Sequence, residues 1–226
     1  MKILINYADK RYEPARKWNT FTGRHIARFD KVYEFHPEDV KSEFAARHSE
    51  ILSHKRGNGL WLWKPYFVNK VLDECSDGDI VFYCDSGSLF KRNINIILEF
   101  LSEDNPLFVC DIPLIESCFT KPLCFEKMGL TEEMYKTSNQ IIATYFCFLA
   151  TPTTRKFIAE WLSLCCDIEL LSPAGFGKHD AITKNYGTSF VAHREDQSIF
   201  SLLCKKYNFL PHRDISQRGL HPETYK

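Results

Sequence analysis

Three short stretches of this 226-residue chain combine side chains suited to chemistry, and the sharpest of them begins at Asp85. Asp85 follows the apolar run Ile80–Cys84 directly and precedes Ser86, Gly87 and Ser88. A carboxylate at the end of a buried strand can hold a divalent cation, which in turn neutralises a diphosphate. The small residues after it would let a ribose or a phosphate approach the backbone. From the residues alone an alternative stays open, in which Asp85 caps a turn that Gly87 permits.

The second stretch is a basic and aromatic loop with the sequence Arg56-Gly-Asn-Gly-Leu-Trp-Leu-Trp-Lys-Pro. Arg56 and Lys64 can bind phosphate oxygens, and the indole rings can stack on a base or a sugar. The loop leads into a predicted helix, whose N-terminus favours anions. It is not a Walker loop, because the Gly-Lys-Ser/Thr ending is absent. Alternatively both tryptophans belong to the core, although Trp61, Leu62 and Trp63 cannot all face inward from one extended segment.

The third stretch, His193-Arg-Glu-Asp-Gln, precedes the apolar segment Ser198–Cys204. Asp196 is predicted to be a general base, because helix N-termini near strand ends face the ligand crevice of an α/β sheet. Its alternative role is that of a helix N-cap. His212 lies beyond the next apolar segment and is either structural or a metal ligand. Together with Asp85, its imidazole would suit Mn²⁺ or a similar ion.

The composition argues against several classes of protein. Lys and Arg together number 29, as do Asp and Glu, so the chain has no basic excess for binding nucleic acid. Its nine cysteines form no Cys-x-x-Cys pair and lie mostly in apolar runs, which predicts free thiols and a cytoplasmic location. Ile3–Ile5 is too short for a signal peptide, and the longest apolar run, Ile141–Ala150, falls well below the ~20 residues that span a bilayer. We therefore expect no nucleic-acid partner and no integral membrane segment.

These groups must be positioned by a chain in which strands alternate with helices. Strands are predicted over Lys2–Tyr7, Lys31–Phe35, Ile80–Cys84, Leu107–Cys110, Ile141–Leu149 and Ser189–Ala192. Helices are predicted over Glu13–Phe29, Ser42–Ser53, Trp61 to about Leu72, Asn93–Phe100, Thr151–Cys166 and Asp196–Tyr207, with a loop over Leu171–Tyr186. This alternation predicts an α/β fold with a mainly parallel central sheet flanked by helices, in which ligands bind at the carboxyl ends of the strands. Without repeats or linkers, residues 1–226 are predicted to form a single domain.

The three motifs in this order resemble those of small GT-A-fold glycosyltransferases, which occur in bacterial capsule and lipopolysaccharide clusters and in large DNA viruses. They read Arg-Gly-x-Gly-x-Trp-x-Trp-Lys-Pro, then Gly-Asp-Ile-Val-x-Tyr-x-Asp-Ser-Gly, then His-Arg-x-Asp-Gln-Ser-Ile-Phe. The resemblance runs from about Ile3 to His212. It implies a Rossmann-like GT-A domain, a nucleoside-diphosphate sugar donor of the UDP or GDP type, and a glycan acceptor.

The resemblance also implies roles for individual residues. Asp85 matches the first acidic residue of a metal-binding DXD motif, but Gly87 stands in the third position, which leaves more of the Mn²⁺ or Mg²⁺ binding to His212 and the diphosphate. Asp196 matches the residue that deprotonates the acceptor hydroxyl in inverting members. Tyr7 falls where such enzymes hold the nucleotide base. The other residues predicted to bind the nucleotide sugar are Arg56, Asn58, Trp63, Lys64, Ser86 and Gly87.

The leading prediction is therefore an inverting glycosyltransferase of the hexosyltransferase type. A nucleotidyl or phosphoryl transferase would use the same carboxylate and metal, but Tyr7-Ala-Asp-Lys-Arg-Tyr stands where its glycine-rich phosphate loop belongs. A non-catalytic carbohydrate- or nucleotide-binding module with a degenerate site is favoured by Gly87. The context of Asp196 opposes that third possibility.

Overall fold

The computed structural model describes residues 1–174 and 189–221 of the chain. The chain divides into two compact units, and each contains its own β-sheet. The first unit comprises Met1–Phe108 and Thr144–Leu162, and the second comprises Val109–Ala143 and the residues from Ser163 onward. That residues 1–226 form a single domain remains a prediction.

Strands and helices alternate through most of the described chain. The strands are β1 (Lys2–Tyr7), β2 (Lys31–Phe35), β3 (Ile80–Cys84), β4 (Leu107–Phe108), β5 (Cys110–Ile115), β6 (Asn139–Ile141), β7 (Tyr145–Leu149) and β8 (His212–Arg213). The helices are α1 (Glu13–Thr22), α2 (Ser42–Arg47), α3 (Ser49–Leu52), α4 (Gly57–Leu60), α5 (Trp63–Glu74), α6 (Asn95–Leu98), α7 (Glu116–Phe119), α8 (Pro122–Met128), α9 (Glu133–Thr137), α10 (Pro152–Cys165), α11 (Ile168–Leu171), α12 (Glu195–Lys206) and α13 (Gln217–Leu220). No helix in residues 1–174 or 189–221 is long and apolar enough to cross a membrane.

The sheet of the first unit has the strand order β2-β1-β3-β7-β4. β1 is parallel to both β2 and β3, whereas β7 is antiparallel to β3 and β4, so four of the five strands share one direction. Ile3, Leu4 and Ile5 are at most 2% exposed, because β1 is covered on both faces. The predicted α/β fold with a mainly parallel central sheet is confirmed.

The second unit has a smaller sheet with the strand order β6-β5-β8. Helix α12 packs beside it through a buried polar network centred on Glu116, which is fully buried. The carboxylate of Glu116 accepts hydrogen bonds from Thr120, Gln140 and Ser201 and pairs with the ammonium of Lys205. A buried carboxylate is tolerated only when its oxygens are satisfied in this way, so the network fixes α12 against the strands of its unit.

Two predicted strands are wrong in extent. The run Leu107–Cys110 contains all of β4 and the first residue of β5, and Ile141–Leu149 contains the last residue of β6 and all of β7. Both runs are apolar and almost entirely buried. Hydrophobic periodicity therefore carries no signal for the point at which the chain leaves one sheet and joins the other.

The helices also differ from their predicted lengths. The helix predicted over Glu13–Phe29 becomes a π-helical turn after Thr22 and ends where Arg28 adopts a φ of 66°. The helix predicted over Ser42–Ser53 is interrupted at His48, which has non-helical φ and ψ angles of −113° and 30°. A helix is predicted over Asn93–Phe100, and the one formed, α6, is shorter.

Towards the end of the chain, Ser189–Ala192 forms no strand, only an isolated bridge at Ala192. Most of the loop predicted over Leu171–Tyr186 lies outside the described residues. The short helices α7, α8 and α9 occupy the stretch between Cys110 and Ile141 for which no regular structure is predicted.

All nine cysteines are free thiols, as predicted, and seven of them are buried. Burial raises the pKa of the Cys84 and Cys124 thiols to about 12. Burial also raises the pKa of Cys147, in the middle of the first sheet, well above its ordinary value. These thiols serve as small apolar core groups.

Helix α10 forms hydrogen bonds to the C-terminal end of α5 in the first unit. Its Arg155 guanidinium donates to the carbonyl of Leu72 and, at 2.7 Å, to that of Cys75. The same guanidinium lies 3.1 Å from the carboxylate of Asp77. The Leu72 carbonyl also accepts a hydrogen bond of 3.1 Å from the backbone N–H of Cys75, so Arg155 adds a charged donor at the end of α5.

We predict that Arg155→Met lowers the free energy of unfolding by about 1–3 kcal/mol, because two carbonyls lose their charged donor. Urea denaturation followed by circular dichroism measures this loss. The control is Lys156→Met, which removes the same charge from an exposed neighbour on α10. Equal stability of the two variants would show that Arg155 does not hold the end of α5.

Candidate functional site

The carboxyl ends of β1 and β3 lie side by side in the first unit, because the two strands are parallel neighbours. Tyr7 is the last residue of β1, and Asp85 follows β3 directly. The hydroxyl of Ser86 donates to the backbone carbonyl of Tyr7 and so joins the two strand ends. The parallel pairing thus brings the backbone of Tyr7 next to Ser86 at one edge of the sheet, while the binding roles predicted for these residues remain predictions.

Tyr7 is buried, and its ring is stacked on that of Trp63 with 3.7 Å between the ring centroids and an angle of 16° between the planes. Its hydroxyl accepts a hydrogen bond from the side-chain amide of Asn58. Burial raises the pKa of Tyr7 to about 12, so the phenol is neutral at physiological pH. One face of the Tyr7 ring is thus covered by Trp63, and its backbone carbonyl accepts the hydrogen bond from Ser86.

The loop before α5 has an unusual backbone. Gly57, Asn58, Gly59, Leu60 and Trp61 all have positive φ angles, between 52° and 92°. Left-handed conformation costs a non-glycine residue roughly 1–2 kcal/mol, so three of these five residues store strain. The conformation is held by contacts such as the hydrogen bond of 2.9 Å from the Trp63 indole nitrogen to the Gly57 carbonyl.

The same loop settles how its aromatic residues divide between core and surface. Leu62 and Trp63 are buried, whereas Trp61 is half-buried, with the exposed Arg56 guanidinium 5.5 Å from its ring centroid. Of these three side chains, Trp61 is therefore the one directed to another surface.

Asp85 forms an ion pair with Lys64 at the end of β3. The ammonium nitrogen of Lys64 lies 3.4 Å from Asp85 Oδ1, and the same oxygen accepts a hydrogen bond of 2.5 Å from the hydroxyl of Tyr83. The Lys64 side chain is 4% exposed and the Asp85 side chain 36% exposed. The pair thus has a buried cation and a carboxylate that reaches solvent.

A buried asparagine pair, absent from the residues predicted for the site, positions the loop after Asp85. Asn19 on α1 donates to the carbonyl of Ser88 at 2.8 Å and accepts from Asn6 on β1 at 2.8 Å. Both asparagines are fully buried. The available sequence signal is weak, since it consists of an asparagine at an inward-facing position of a helix and another inside an apolar strand.

A cavity of about 540 Å³ lies beyond the carboxyl ends of β1 and β2 in the first unit. It contains carboxylates, cations and one imidazole, all of which can bond to a polar ligand. Its lining residues are Asp9, Lys10, Arg11, Glu13, His36, Pro37 and Glu38. None of them is among the site residues predicted from the sequence.

Asp196 and His212 belong to the second unit. Asp196 lies in the first turn of α12 and is 4% exposed. The N-cap position of this helix is taken by Arg194, so the alternative prediction that Asp196 is the N-cap is wrong. His212 is half-buried in β8, where its backbone N–H donates to Val109 at 2.8 Å. Their predicted roles as base and metal ligand remain predictions.

The described residues around Asp85 do not fit a divalent cation. Mg²⁺ and similar hard cations require about six oxygen ligands. Gly87 has no side chain, the Ser86 hydroxyl is bonded to Tyr7, and the Lys64 ammonium would repel a metal at Asp85 Oδ1. No group of three or more His, Cys, Asp or Glu side chains able to hold a metal occurs within residues 1–174 and 189–221. Shared binding of Mn²⁺ by Asp85 and His212 remains a prediction.

Comparison with known proteins gives structural matches only. No protein-family model matches the chain, and no curated protein matches it by sequence. The apo form of mouse xyloside xylosyltransferase 1 matches with a TM-score of 0.49 and 10% identity over 94% of this chain and 84% of that one. The galactosyltransferase LgtC, in complex with donor and acceptor sugar analogs, matches with a TM-score of 0.46 and 14% identity over 97% and 82%.

A third structure, the apo form of the bifunctional glycosyltransferase WbbM, matches with a TM-score of 0.45 and 12% identity. The match covers 72% of this chain and 34% of that one. All three matched structures are glycosyltransferases, the class that the sequence motifs resemble. Because each TM-score is below 0.5, the function of this chain has to be inferred from the residues of its own site.

We predict that Gly57→Ala destabilises the protein more than Gly129→Ala does. Both glycines have positive φ angles, 58° and 70°, so each substitution carries a backbone cost of about 1 kcal/mol. A methyl group at Gly57 would also collide with the Trp61 ring, whereas one at Gly129 would meet no atom within 4 Å. The collision should add about 1–3 kcal/mol, and the free energy of unfolding measures it.

Tryptophan emission reports the same change locally, since Trp61 and Trp63 both contact this loop. We expect a shifted spectrum for Gly57→Ala and an unchanged one for Gly129→Ala. An identical loss of stability in the two variants would contradict the packing of Trp61 over Gly57.

Proposed function

We propose that this chain is a glycosyltransferase that moves a sugar from a nucleoside-diphosphate sugar to a hydroxyl of a glycan acceptor. The observation that carries the proposal is the convergence of Lys64, Asp85 and the Tyr83 hydroxyl at the carboxyl end of β3, on the same sheet edge as the cavity beyond β1 and β2. Ligands of open α/β sheets bind at this edge. The resemblance of the three sequence motifs supports the same reaction.

The cavity suits the nucleoside of such a donor. It carries hydrogen-bonding groups of both kinds, among them the carboxylates of Asp9 and Glu38 and the ring of His36. Tyr7, predicted to hold the base, is not among the residues that line this cavity, and its ring is stacked on Trp63. Base recognition in this proposal therefore depends on the cavity residues at least as much as on Tyr7.

The loop and the strand end suit the diphosphate. Glycosyl transfer breaks the bond between the anomeric carbon and a phosphate oxygen, so negative charge develops on the departing nucleoside diphosphate. Arg56 is an exposed cation on the loop, and Lys64 is a buried one at the strand end. A methyl group at Gly87 would meet no atom within 4 Å, which means that the backbone there borders open space.

Asp196 is proposed as the general base of an inverting displacement. Such a base must accept the proton of the acceptor hydroxyl on the face opposite the leaving diphosphate. Asp196 is a carboxylate in the first turn of α12, and the Glu116 network of the same unit anchors that helix through Ser201 and Lys205. The role of N-cap, which would explain the residue by folding alone, belongs to Arg194.

The donor assignment predicts that UDP or GDP binds the wild-type protein and that Arg56→Ala binds it about tenfold more weakly. A charge-assisted hydrogen bond to phosphate contributes enough free energy for a change of this size. Isothermal titration calorimetry measures both affinities. Arg47→Ala is the matched control, because Arg47 is another exposed arginine, paired with Glu43 on α2. Equal affinity of Arg56→Ala and Arg47→Ala would remove the loop from the site.

The mechanism predicts that Asp196→Asn lowers turnover by ~10²–10⁴ while donor affinity and melting temperature change little. Glu195→Gln, which changes the neighbouring buried carboxylate of α12 in the same way, should keep far more of the activity. Product analysis by NMR should show an anomeric configuration opposite to that of the donor. Wild-type turnover in Asp196→Asn, or retention of configuration, would contradict the role of Asp196.

The same measurements separate the proposal from a non-catalytic binding module. A module would bind the nucleotide sugar with stabilisation by mass action but would release no nucleoside diphosphate with any acceptor. An enzyme would release it, and the release would depend on Asp196.

A further inference from the structure

Lys64 occupies a position that is unfavourable for a cation. It lies in the first turn of α5, where the backbone N–H groups already create a partial positive charge. Its side chain is 4% exposed, and removing an ammonium group from water is costly. The rings of Tyr83 and Trp63, whose centroids lie 5.2 and 6.0 Å from the ammonium nitrogen, attract the cation by their negative faces. A buried cation in such a place is explained better by function than by stability.

The ion pair of Lys64 remains within reach of a ligand. Asp85, its partner at 3.4 Å, is 36% exposed, and the backbone of Gly87 borders open space. The Tyr83 hydroxyl fixes the carboxylate of Asp85 by donating a hydrogen bond to Oδ1, the oxygen that faces Lys64. An ammonium group has three N–H donors, so it can bond a carboxylate and a phosphate oxygen at the same time.

We infer that Lys64 takes the place of a divalent cation in this site and stabilises the diphosphate leaving group directly. The inference rests on the proposed function. The Asp85-Ser86-Gly87 segment carries one carboxylate where a DXD motif carries two, and an ammonium carries one positive charge where a divalent cation carries two. The glycine at position 87 removes one negative charge, and the exchange of a metal ion for an ammonium removes one positive charge.

The transfer of the sugar can then take place without a metal ion. The acceptor oxygen forms a bond to the anomeric carbon, and its proton passes to the general base. The bond from that carbon to the phosphate oxygen breaks, and its electron pair stays on the oxygen. Lys64 donates a hydrogen bond to the diphosphate as this charge develops, which is the role that a bound cation would otherwise fill.

The first test needs no variant. UDP and GDP are titrated into the wild-type protein in buffer with EDTA and in buffer with Mn²⁺. We expect equal affinity in the two buffers and no heat when Mn²⁺ alone is titrated into the protein. Binding that requires Mn²⁺ would overturn the inference about Lys64 but leave the proposed function intact. Absence of binding in both buffers would contradict the proposed function itself.

The second test compares Lys64→Gln with Lys70→Gln, a change of a second lysine on the same helix. Nucleoside-diphosphate affinity in EDTA should fall about tenfold or more in Lys64→Gln and stay unchanged in Lys70→Gln. Lys64→Arg keeps the charge and should retain more of the affinity than Lys64→Gln. Melting temperatures verify that each variant is folded, and the wild-type titration in EDTA decides the question if Lys64→Gln does not fold. Wild-type affinity in a folded Lys64→Gln would overturn the inference.

Discussion

The parallel pairing of β1 with β3 is the constraint on which the candidate site depends. Because Ile5 lies opposite Tyr83 in that pairing, the two strands end at the same level, and Tyr7 and Asp85 emerge together. The Ser86 hydroxyl then closes the gap by donating to the Tyr7 carbonyl. A shift of one residue would turn each side chain of a strand to the opposite face, and the apolar residues on both faces of β1 do not by themselves forbid it. The polar contacts at the strand ends therefore fix the register of β1 and β3, which the apolar core alone does not determine.

The first unit concentrates its unfavourable features around this edge. They include a buried ammonium at a helix N-terminus, a run of left-handed residues before α5, and two fully buried asparagines behind the loop after β3. Each lowers stability relative to an apolar or relaxed alternative. The rest of the unit has to offset them through its core, in which Phe146 and Trp161 are fully buried and pack edge to face. A local loss of stability at one edge of an otherwise well-packed sheet is typical of a binding or catalytic site.

The sequence predicts much of this arrangement, because its strongest signals are local. The apolar strand before Asp85 and the glycines near Arg56 can be read without knowing the fold. The interaction of Lys64 with Asp85 cannot, since it arises only when α5 and β3 pack together. The anchoring of α12 by Glu116 is hidden for the same reason: its partners Gln140, Ser201 and Lys205 are distant in the chain. The hydrophobic pattern also fails at Val109, where continuous burial conceals the passage between two sheets.

Because the thiols are buried, their rate of alkylation measures how often each unit of the chain unfolds. Alkylating reagents attack the thiolate, and a pKa of about 12 leaves Cys84 and Cys124 almost entirely protonated in the native state at neutral pH. These two cysteines lie in different units, Cys84 beside Asp85 and Cys124 on α8. Their rates of modification therefore report the opening of each unit separately, through local or global unfolding. Mass spectrometry of the labelled peptides can distinguish the opening of the two units in the wild-type protein, without an engineered cysteine.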